Sequence, residues 1–195
     1  MNKFELPVLQ GDRVTLRRPR PVDAEARLRL RADPEIHRMY GGSLADLRPM
    51  TKEGAERWVE QLLDHDYAWV IEAGSLIGQI RLDHVDFRDR RASLAVGIED
   101  RARLGIGLGT EALALVLEYA FRALKLHRLS VRVVEYNTRA IRAYTKCGFV
   151  IEGTERDAAF VDGNWHNDIM MGILDCEYEN MRENRGVRTS TPRLP

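Results

Sequence analysis

The chain has 195 residues, enough for one domain with a substantial core, and its 44% hydrophobic and 31% charged content is that of an ordinary soluble globular protein. Thirty basic residues balance thirty acidic ones, so a formal net charge of zero gives no electrostatic reason to expect nucleic acid or an anionic membrane as partner. No apolar run approaches bilayer length, Met1-Asn2-Lys3-Phe4-Glu5 lacks the apolar core of a signal peptide, and two cysteines (Cys147 and Cys176) make neither a disulfide framework nor a metal site, so a reduced, cytoplasmic setting is the simplest expectation.

In chain order, Arg13 to Arg17 alternates like a first strand. Pro19 and Pro21 break it, and Asp23 is expected to cap a helix to about Ala32, ended by Asp33-Pro34. The arginines of Arg13 to Arg38 are interleaved with Asp12, Asp23, Glu25, Asp33 and Glu35, which reads as a solvated face, not a phosphate-binding stripe. Residues 33–50 contain Gly41-Gly42 and Pro49 and read mostly as loop. Thr51, with Glu53 behind it, opens a helix to about Leu63. Strands follow at Tyr67 to Glu72 and Leu76 to Leu82, around the turn Ala73-Gly74-Ser75, and a fourth strand covers Ala92 to Ile98.

Directly after it, Arg103-Leu104-Gly105-Ile106-Gly107-Leu108-Gly109-Thr110-Glu111 alternates glycines with aliphatics before a helix to Leu124, whose Leu113, Val116, Leu117, Ala120, Phe121 and Leu124 form one apolar stripe. A strand, a glycine turn and a helix start make an anion cradle, because the first helical N–H groups lack internal partners and the macrodipole favours negative charge there. The cradle lacks the Lys-Ser/Thr end of a P-loop, and Thr110 stands where a dinucleotide fingerprint needs its third glycine. The bland alternative is a tight strand–helix turn with no ligand.

His127 to Val134 is a fifth, β-branched strand, and Thr138 to Cys147 a short helix with Asn137 as N-cap and Gly148 just past its end. Phe149 to Thr154 and Trp165 to Leu174 read as closing strands. Residues 1–178 are expected to form a single domain, and the polar tail 179–195 to be a frayed helix end followed by disorder.

The run Asn137-Thr138-Arg139-Ala140-Ile141-Arg142-Ala143-Tyr144-Thr145-Lys146-Cys147-Gly148-Phe149 resembles the Asn-x-x-Ala-x-x-x-Tyr-x-x-x-Gly-Phe signature of GNAT acetyltransferases. The cradle resembles the pyrophosphate motif of the same superfamily, in the right order and separated by one helix and one strand. Phe160 to Asp168 looks like the RimJ/RimL-type branch, which includes N-terminal protein and polyamine acetyltransferases, and whose members often dimerise. The resemblance spans about Arg13 to Leu174. It implies an α/β GNAT fold: a mixed central sheet, flanked by helices and splayed between its fourth and fifth strands. It implies acetyl-CoA as acyl-donor co-substrate in that opening. Backbone of Gly97, Ile98 and Glu99 would pair with the pantetheine arm, Leu104, Gly105, Ile106, Gly107, Leu108, Gly109 and Thr110 would cradle the diphosphate, and Asn137 would bond the arm further along. Tyr144 would face the thioester sulfur.

The chemistry suits Tyr144. A phenol of pKa about 10 stays protonated and can donate to a leaving thiolate whose acid resembles cysteine at about 8.5. Acid help of this kind is worth about 10²–10⁴-fold. The alternative is a core aromatic, since Ala140, Ile141 and Tyr144 share a helix face. Asn137 can likewise be a plain cap, although its side chain has donors as well as an acceptor. Where the family's cradle usually carries Gln or Arg, this chain has Leu104, with Arg103 and Arg101 nearby. Where many relatives place a general base, this chain has Ser93, which leaves Glu99, Glu135 or a water chain as candidates and the base unassigned.

His65, His84 and His166 show no ligand spacing, so no metal is expected. Trp58, Trp69 and Trp165 read as packing, and Cys147 as a buried thiol. The expected activity is transfer of acetyl to a primary amine by direct attack. The acceptor would be a small amine (a polyamine or aminosugar) or a protein N-terminus, its pocket shaped by Asp33 to Thr51 and Asp157 to Asn167. Asp83, Asp86, Asp157 and Asp162 are candidates for attracting a cation, against plain solvation. A non-catalytic acyl-CoA-binding regulatory module on the same fold is the alternative, while an ATP site lacks the Lys and Mg²⁺ ligands it would need.

Overall fold

Eight strands build one sheet in the order β1-β2-β3-β4-β5-β6-β8-β7. The structure, a computed structural model, describes residues 6–184. Along the chain these are β1 (Leu9–Gln10), β2 (Thr15–Arg17), α1 (Asp23–Arg29), α2 (Pro34–Met39), α3 (Lys52–Asp64), β3 (Ala68–Glu72), β4 (Leu76–Asp86), β5 (Arg91–Ile98), α4 (Leu108–Glu118), β6 (Arg128–Val134), α5 (Thr138–Lys146), β7 (Val150–Val161), β8 (Asn164–Leu174) and α6 (Asp175–Asn184). All neighbours pair antiparallel except β5 and β6, which run parallel.

That parallel pair is short. Arg91, Ala92 and Ser93 register with Arg128, Leu129 and Ser130, and no pairing follows. From Leu94 onward the two strands part, giving the expected mixed sheet splayed between the strands at Ala92–Ile98 and His127–Val134. These rank fifth and sixth here because Leu9–Gln10 adds an unforeseen edge strand, too short to show a period.

Period-two alternation along β3 divides the core. Trp69 and Ile71 pack with Ile77, Ile80, Leu82 and the α4 residues Leu113, Val116 and Leu117, whereas Ala68 and Val70 pack with Leu62 and Leu76 under Ala26, Leu30 and Trp58 of the α1–α3 side. Each fully buried Leu or Ile in these clusters contributes about 1.5–3 kcal/mol by leaving water. Trp69 is wholly buried, its indole N–H donates to the Pro7 carbonyl (2.9 Å), and the Tyr119 ring meets it edge-on at 5.5 Å. The predicted stripe on α4 is buried as expected, but the helix widens into a π turn over Tyr119–Ala123, where the Leu124 N–H donates to the Tyr119 carbonyl (3.0 Å).

Two local expectations are corrected. Asp23 is not the N-cap of α1: its carboxylate reaches back to the Arg20 N–H (2.7 Å) and accepts two bonds from Arg17 (2.7 and 2.8 Å). It therefore closes the turn that leads into α1 and also neutralises a buried guanidinium. Residues 33–50 are not mostly loop up to Met39. Asp33 accepts from the Ile36 N–H (2.9 Å) and Pro34 supplies a first-turn φ, so the pair read as a helix stop is a helix start. Residues 179–184 continue α6, and the rest of the tail expected to be disordered, 185–195, lies outside the described residues.

Arg17 is 8% exposed and also pairs with Glu72 (2.6 Å); its hydrogen bonds to Asp23 raise its pKa beyond the ordinary arginine value despite burial. Removing one partner of such a pair leaves a buried charge under-compensated. Asp23→Ala is expected to cost about 3–5 kcal/mol in urea unfolding, and pairing it with Arg17→Met to recover most of that loss.

Candidate active site

Beside the end of β5, where β6 has parted from it, lies a groove of about 280 Å³. Its floor and walls come from Val96 and Ile98 of β5, the glycine turn before α4, the face of α5 that carries Asn137 and Tyr144, and Ile36, Met39 and Tyr40 around the end of α2.

The turn is shaped by two left-handed glycines, Gly105 at φ +75° and Gly107 at φ +90°, a region closed to most side chains. Gly107 caps α4, so the unpartnered N–H groups of the first turn face the groove. A Cβ at Gly105 would meet no atom within 4 Å, which leaves the turn open to a ligand. From outside, Arg13 braces it. Its Nη1 donates to the Ile106 carbonyl (2.9 Å), its Nε pairs with Glu111 (2.9 Å), and its own N–H donates to the same carboxylate (2.6 Å). Burial would raise the Glu111 pKa, but the Arg13 and Val14 N–H groups and the Arg13 guanidinium together hold it below the usual range. An acid in the first turn also opposes the helix dipole.

Of the predicted site residues, Ile98, Leu104, Gly105, Gly107, Leu108, Gly109, Thr110, Asn137 and Tyr144 all line this one groove. Ile106 does not; its side chain is 51% exposed and only its carbonyl is engaged, by Arg13. Gly97 and Glu99 also lie off the groove lining. The Glu99 N–H donates to the Ile77 carbonyl on β4 (2.7 Å), and the alternation of an antiparallel ladder then turns the peptide groups of Val96 and Ile98 toward the gap.

Asn137 carries two duties. Its Oδ1 caps α5 at the Ala140 N–H (3.1 Å), and its Nδ2 donates to the Met39 carbonyl (3.0 Å), leaving one amide hydrogen. Tyr144 is 5% exposed and meets Phe149 at 5.4 Å. Burial, with Cys147 beside it, pushes its hydroxyl well above the ordinary tyrosine pKa, so it stays protonated. Arg139, Arg142 and Lys146 share the groove side of α5 at helical spacing, and Arg103 stands across from them. Arg101 is engaged elsewhere, pairing with Asp33 and Glu35 (both 3.0 Å).

The wall formed by α2 was not legible as a wall. It is pinned by Arg101 to Asp33, by Arg139 to Glu35 (3.2 Å), by the Tyr136 hydroxyl donating to the Arg38 carbonyl (2.7 Å), and by Asn137 to Met39. The turn between β7 and β8 closes on the segment after it: Asp162 pairs with Arg38 (3.0 Å), accepts from the Leu44 N–H (2.7 Å), and donates its own N–H to Ser43 (2.9 Å). Asp162 is thus occupied. So are Asp83, bound by His65 and Arg81 (2.8 Å each), and Asp86, which accepts from the Arg88 and Asp89 N–H groups. Asp157 is exposed on an irregular stretch of β7.

Ser93 lies at the other end of β5, about 16 Å from Ile98 at the rise of an extended strand. Its Oγ faces that of Ser130 at 3.4 Å, in a separate depression of about 430 Å³. Among the described residues no group of three or more His, Cys, Asp or Glu could hold a metal, and no helix is long and apolar enough to cross a membrane.

A model of the acetyltransferase (GNAT) domain matches residues 13–150. The chain belongs to the GNAT acetyltransferase family. It is 29% identical over 184 residues to "Probable N-acetyltransferase YjcK" of Bacillus subtilis (strain 168), covering 88% of this chain and 99% of that protein. Spermidine N(1)-acetyltransferase of Escherichia coli (strain K12) is 33% identical over 111 residues, 56% of this chain and 59% of that protein. The spermidine N-acetyltransferase from Vibrio cholerae, solved in complex with CoA and spermine, has the same fold, with a TM-score of 0.73 at 24% identity over 87% of this chain and 100% of that one. The GNAT fold, with its splayed mixed sheet, and acetyl-CoA-dependent N-acetyl transfer as the reaction class are therefore those of this chain.

Two outcomes follow from the turn. Gly107→Ala forces a side chain into the left-handed region and its Cβ to 3.2 Å from Arg13 Nη2. CoA affinity, read by calorimetry, is expected to fall about tenfold, equal to about 1.4 kcal/mol of strain. Glu111 is depressed in the folded state, so its contribution to stability is complete above the unfolded glutamate pKa of about 4.3 and is lost as pH falls through the lower folded value. Glu111→Gln should flatten the decline of melting temperature across that acid window.

Proposed function

We propose that the groove takes the pantetheine and diphosphate of acetyl-CoA and that the chain moves the acetyl group directly to the primary amine of a small acceptor, a polyamine or an aminosugar. Convergence of the glycine turn, Asn137 and Tyr144 on a single groove is the observation that carries this reading. The N–H groups of 105–110 suit two phosphoryl groups, that of Leu104 being spent on the Arg101 carbonyl, with Arg103, Arg142 and Lys146 beside them as counter-charges. The gap-facing peptide groups of Val96 and Ile98 suit an amide-bearing arm, and the remaining Asn137 hydrogen suits one of its carbonyls.

Bound acetyl-CoA supplies an activated acyl group. The chain's own part is to position it, polarise it and manage two protons. The Ile98 N–H faces the gap and would donate to a thioester carbonyl oxygen as it gains charge under attack by the amine, and a preorganised donor of this kind lowers the barrier. Tyr144, held protonated by burial, donates to the departing sulfur. No covalent enzyme intermediate is needed, because donor and acceptor meet in one site.

Closure of the 43–44 segment onto Asp162 supports a small acceptor over a polypeptide, which needs an open trough. The partial match to spermidine N(1)-acetyltransferase supports the same reading and a place in the RimJ/RimL-like branch.

Tyr144→Phe is expected to lower kcat about 10²–10⁴-fold while leaving CoA affinity within about twofold. An unchanged kcat from low to high pH would remove Tyr144 from its role. A screen of polyamines, aminosugars and N-terminal peptides is expected to find turnover among the free amines. Turnover on peptides alone would reassign the acceptor, and CoA binding without turnover on any amine would favour a regulatory module.

A further inference from the structure

The acceptor arrives as an ammonium ion and must lose a proton before its nitrogen can attack. Ser93 has no basic group and sits at the far end of β5. Glu135 is committed elsewhere: the Asn167 N–H (3.0 Å) and Nδ2 (2.9 Å) hold its carboxylate, and they depress its pKa.

Glu99 is placed differently. It follows Ile98 directly, so it leaves β5 just where the strand stops lining the groove. Its side chain is 15% exposed and its ion partner is Arg27 of α1, at 3.3 Å. Tyr40, at the end of α2, lines the groove, with its ring half exposed and its hydroxyl reaching inward over Gly97. The space a Cβ at Gly97 would fill lies 2.5 Å from the Tyr40 hydroxyl and 3.3 Å from Glu99 Oε1. Glycine at 97 therefore admits both groups to one small volume, where no direct hydrogen bond joins them and one water can bridge them. Tyr144 and Arg139 of α5 act on the Tyr40 hydroxyl from the other side.

We propose that Tyr40 and Glu99 form the proton exit of the acetyl transfer, Tyr40 touching the acceptor ammonium and Glu99 receiving the proton. The inference rests on the function proposed above. One N–H bond of the ammonium breaks and its proton passes to the Tyr40 oxygen as the Tyr40 proton passes, through one bridging water, to the Glu99 carboxylate. The freed lone pair forms the C–N bond at the acetyl carbonyl carbon, the C–S bond breaks, and the sulfur takes the Tyr144 proton. The nitrogen sheds its second N–H proton through solvent to Tyr144, restoring the phenol, and Glu99 returns its proton to solvent, so ammonium and thioester give amide, thiol and one net proton.

The charges around Glu99 fit this cycle. Burial pushes its carboxyl above the ordinary glutamate pKa, with Arg27 pulling the other way, which makes it a better proton acceptor than a surface carboxylate. Arg27 is 7% exposed, stacks on Trp58 at 5.6 Å, and has Nε and Nη1 buried without a hydrogen-bond partner. A guanidinium so poorly satisfied favours return of Glu99 to the anion after each turnover.

The test is kcat/KM against pH for wild type, Glu99→Gln and Tyr40→Phe on the best free amine from the acceptor screen, with CoA titrated into each by calorimetry. Both variants should lose about 100-fold at neutral pH and gain tenfold per pH unit, approaching wild type where the free amine dominates, with CoA affinity unchanged. A purely structural role for the Arg27–Glu99 pair would lower the rate equally at every pH, and that result overturns the proposal. So does a wild-type profile in either variant while wild type is active. Wild type that neither takes up CoA nor acetylates any amine overturns the parent reading and this one together.

Discussion

The site exists because β5 and β6 keep parallel pairing for only three residues on each strand. Had the ladder continued, the peptide groups of Val96 and Ile98 would be bonded to β6 and no groove would reach the sheet. Divergence leaves polar backbone beside a core that includes Leu94 and Leu113, and such groups in a water-poor setting call for partners. An extended, amide-containing arm provides them in the manner of an added strand. The chain thus stores its recognition capacity in unfinished secondary structure.

Around that gap, polar contacts decide which backbone stays put. α2 is only six residues long, too short to be stable alone, yet Asp33, Glu35, Arg38 and Met39 tie it to three other parts of the chain. These bonds come from the end of β5, from the start of α5 and from the β7–β8 turn. The wall that carries Tyr40 therefore depends on long-range pairing, and several of the pairs are at least partly exposed, where each contributes modestly. Their number, and the two backbone-directed bonds from Tyr136 and Asn137, keep the wall in register with the groove.

This division explains what the amino-acid order revealed. The strand–glycine–helix passage and the Asn137–Tyr144 pair were readable because their geometry is local: positive φ needs glycine, and a cap and a phenol seven residues apart share a helix side. The α4 stripe was readable for the same reason. Tyr40 was not, because Asp33-Pro34 suits either the end of one helix or the start of the next, and only tertiary partners choose. Arg13 was also hidden; in sequence it is one charged residue opening a strand, and its partners lie more than ninety positions away. Gly97 and Glu99 were placed by resemblance as backbone ligands, whereas the ladder phase set by the Glu99–Ile77 bond favours Val96 and Ile98. Strand phase cannot be counted from residues alone once an irregular register intervenes.

Arg13 ties the beginning of the sheet to the turn that starts α4, through one carbonyl and one carboxylate. Any anion that orders the turn also favours the conformation in which this brace is intact. By thermodynamic linkage, occupancy of the groove and integrity of the sheet's outermost strands rise and fall together. An empty turn leaves the N-terminal edge the easier one to peel away, and a filled one makes the far margin of the sheet a reporter of what is bound in its middle.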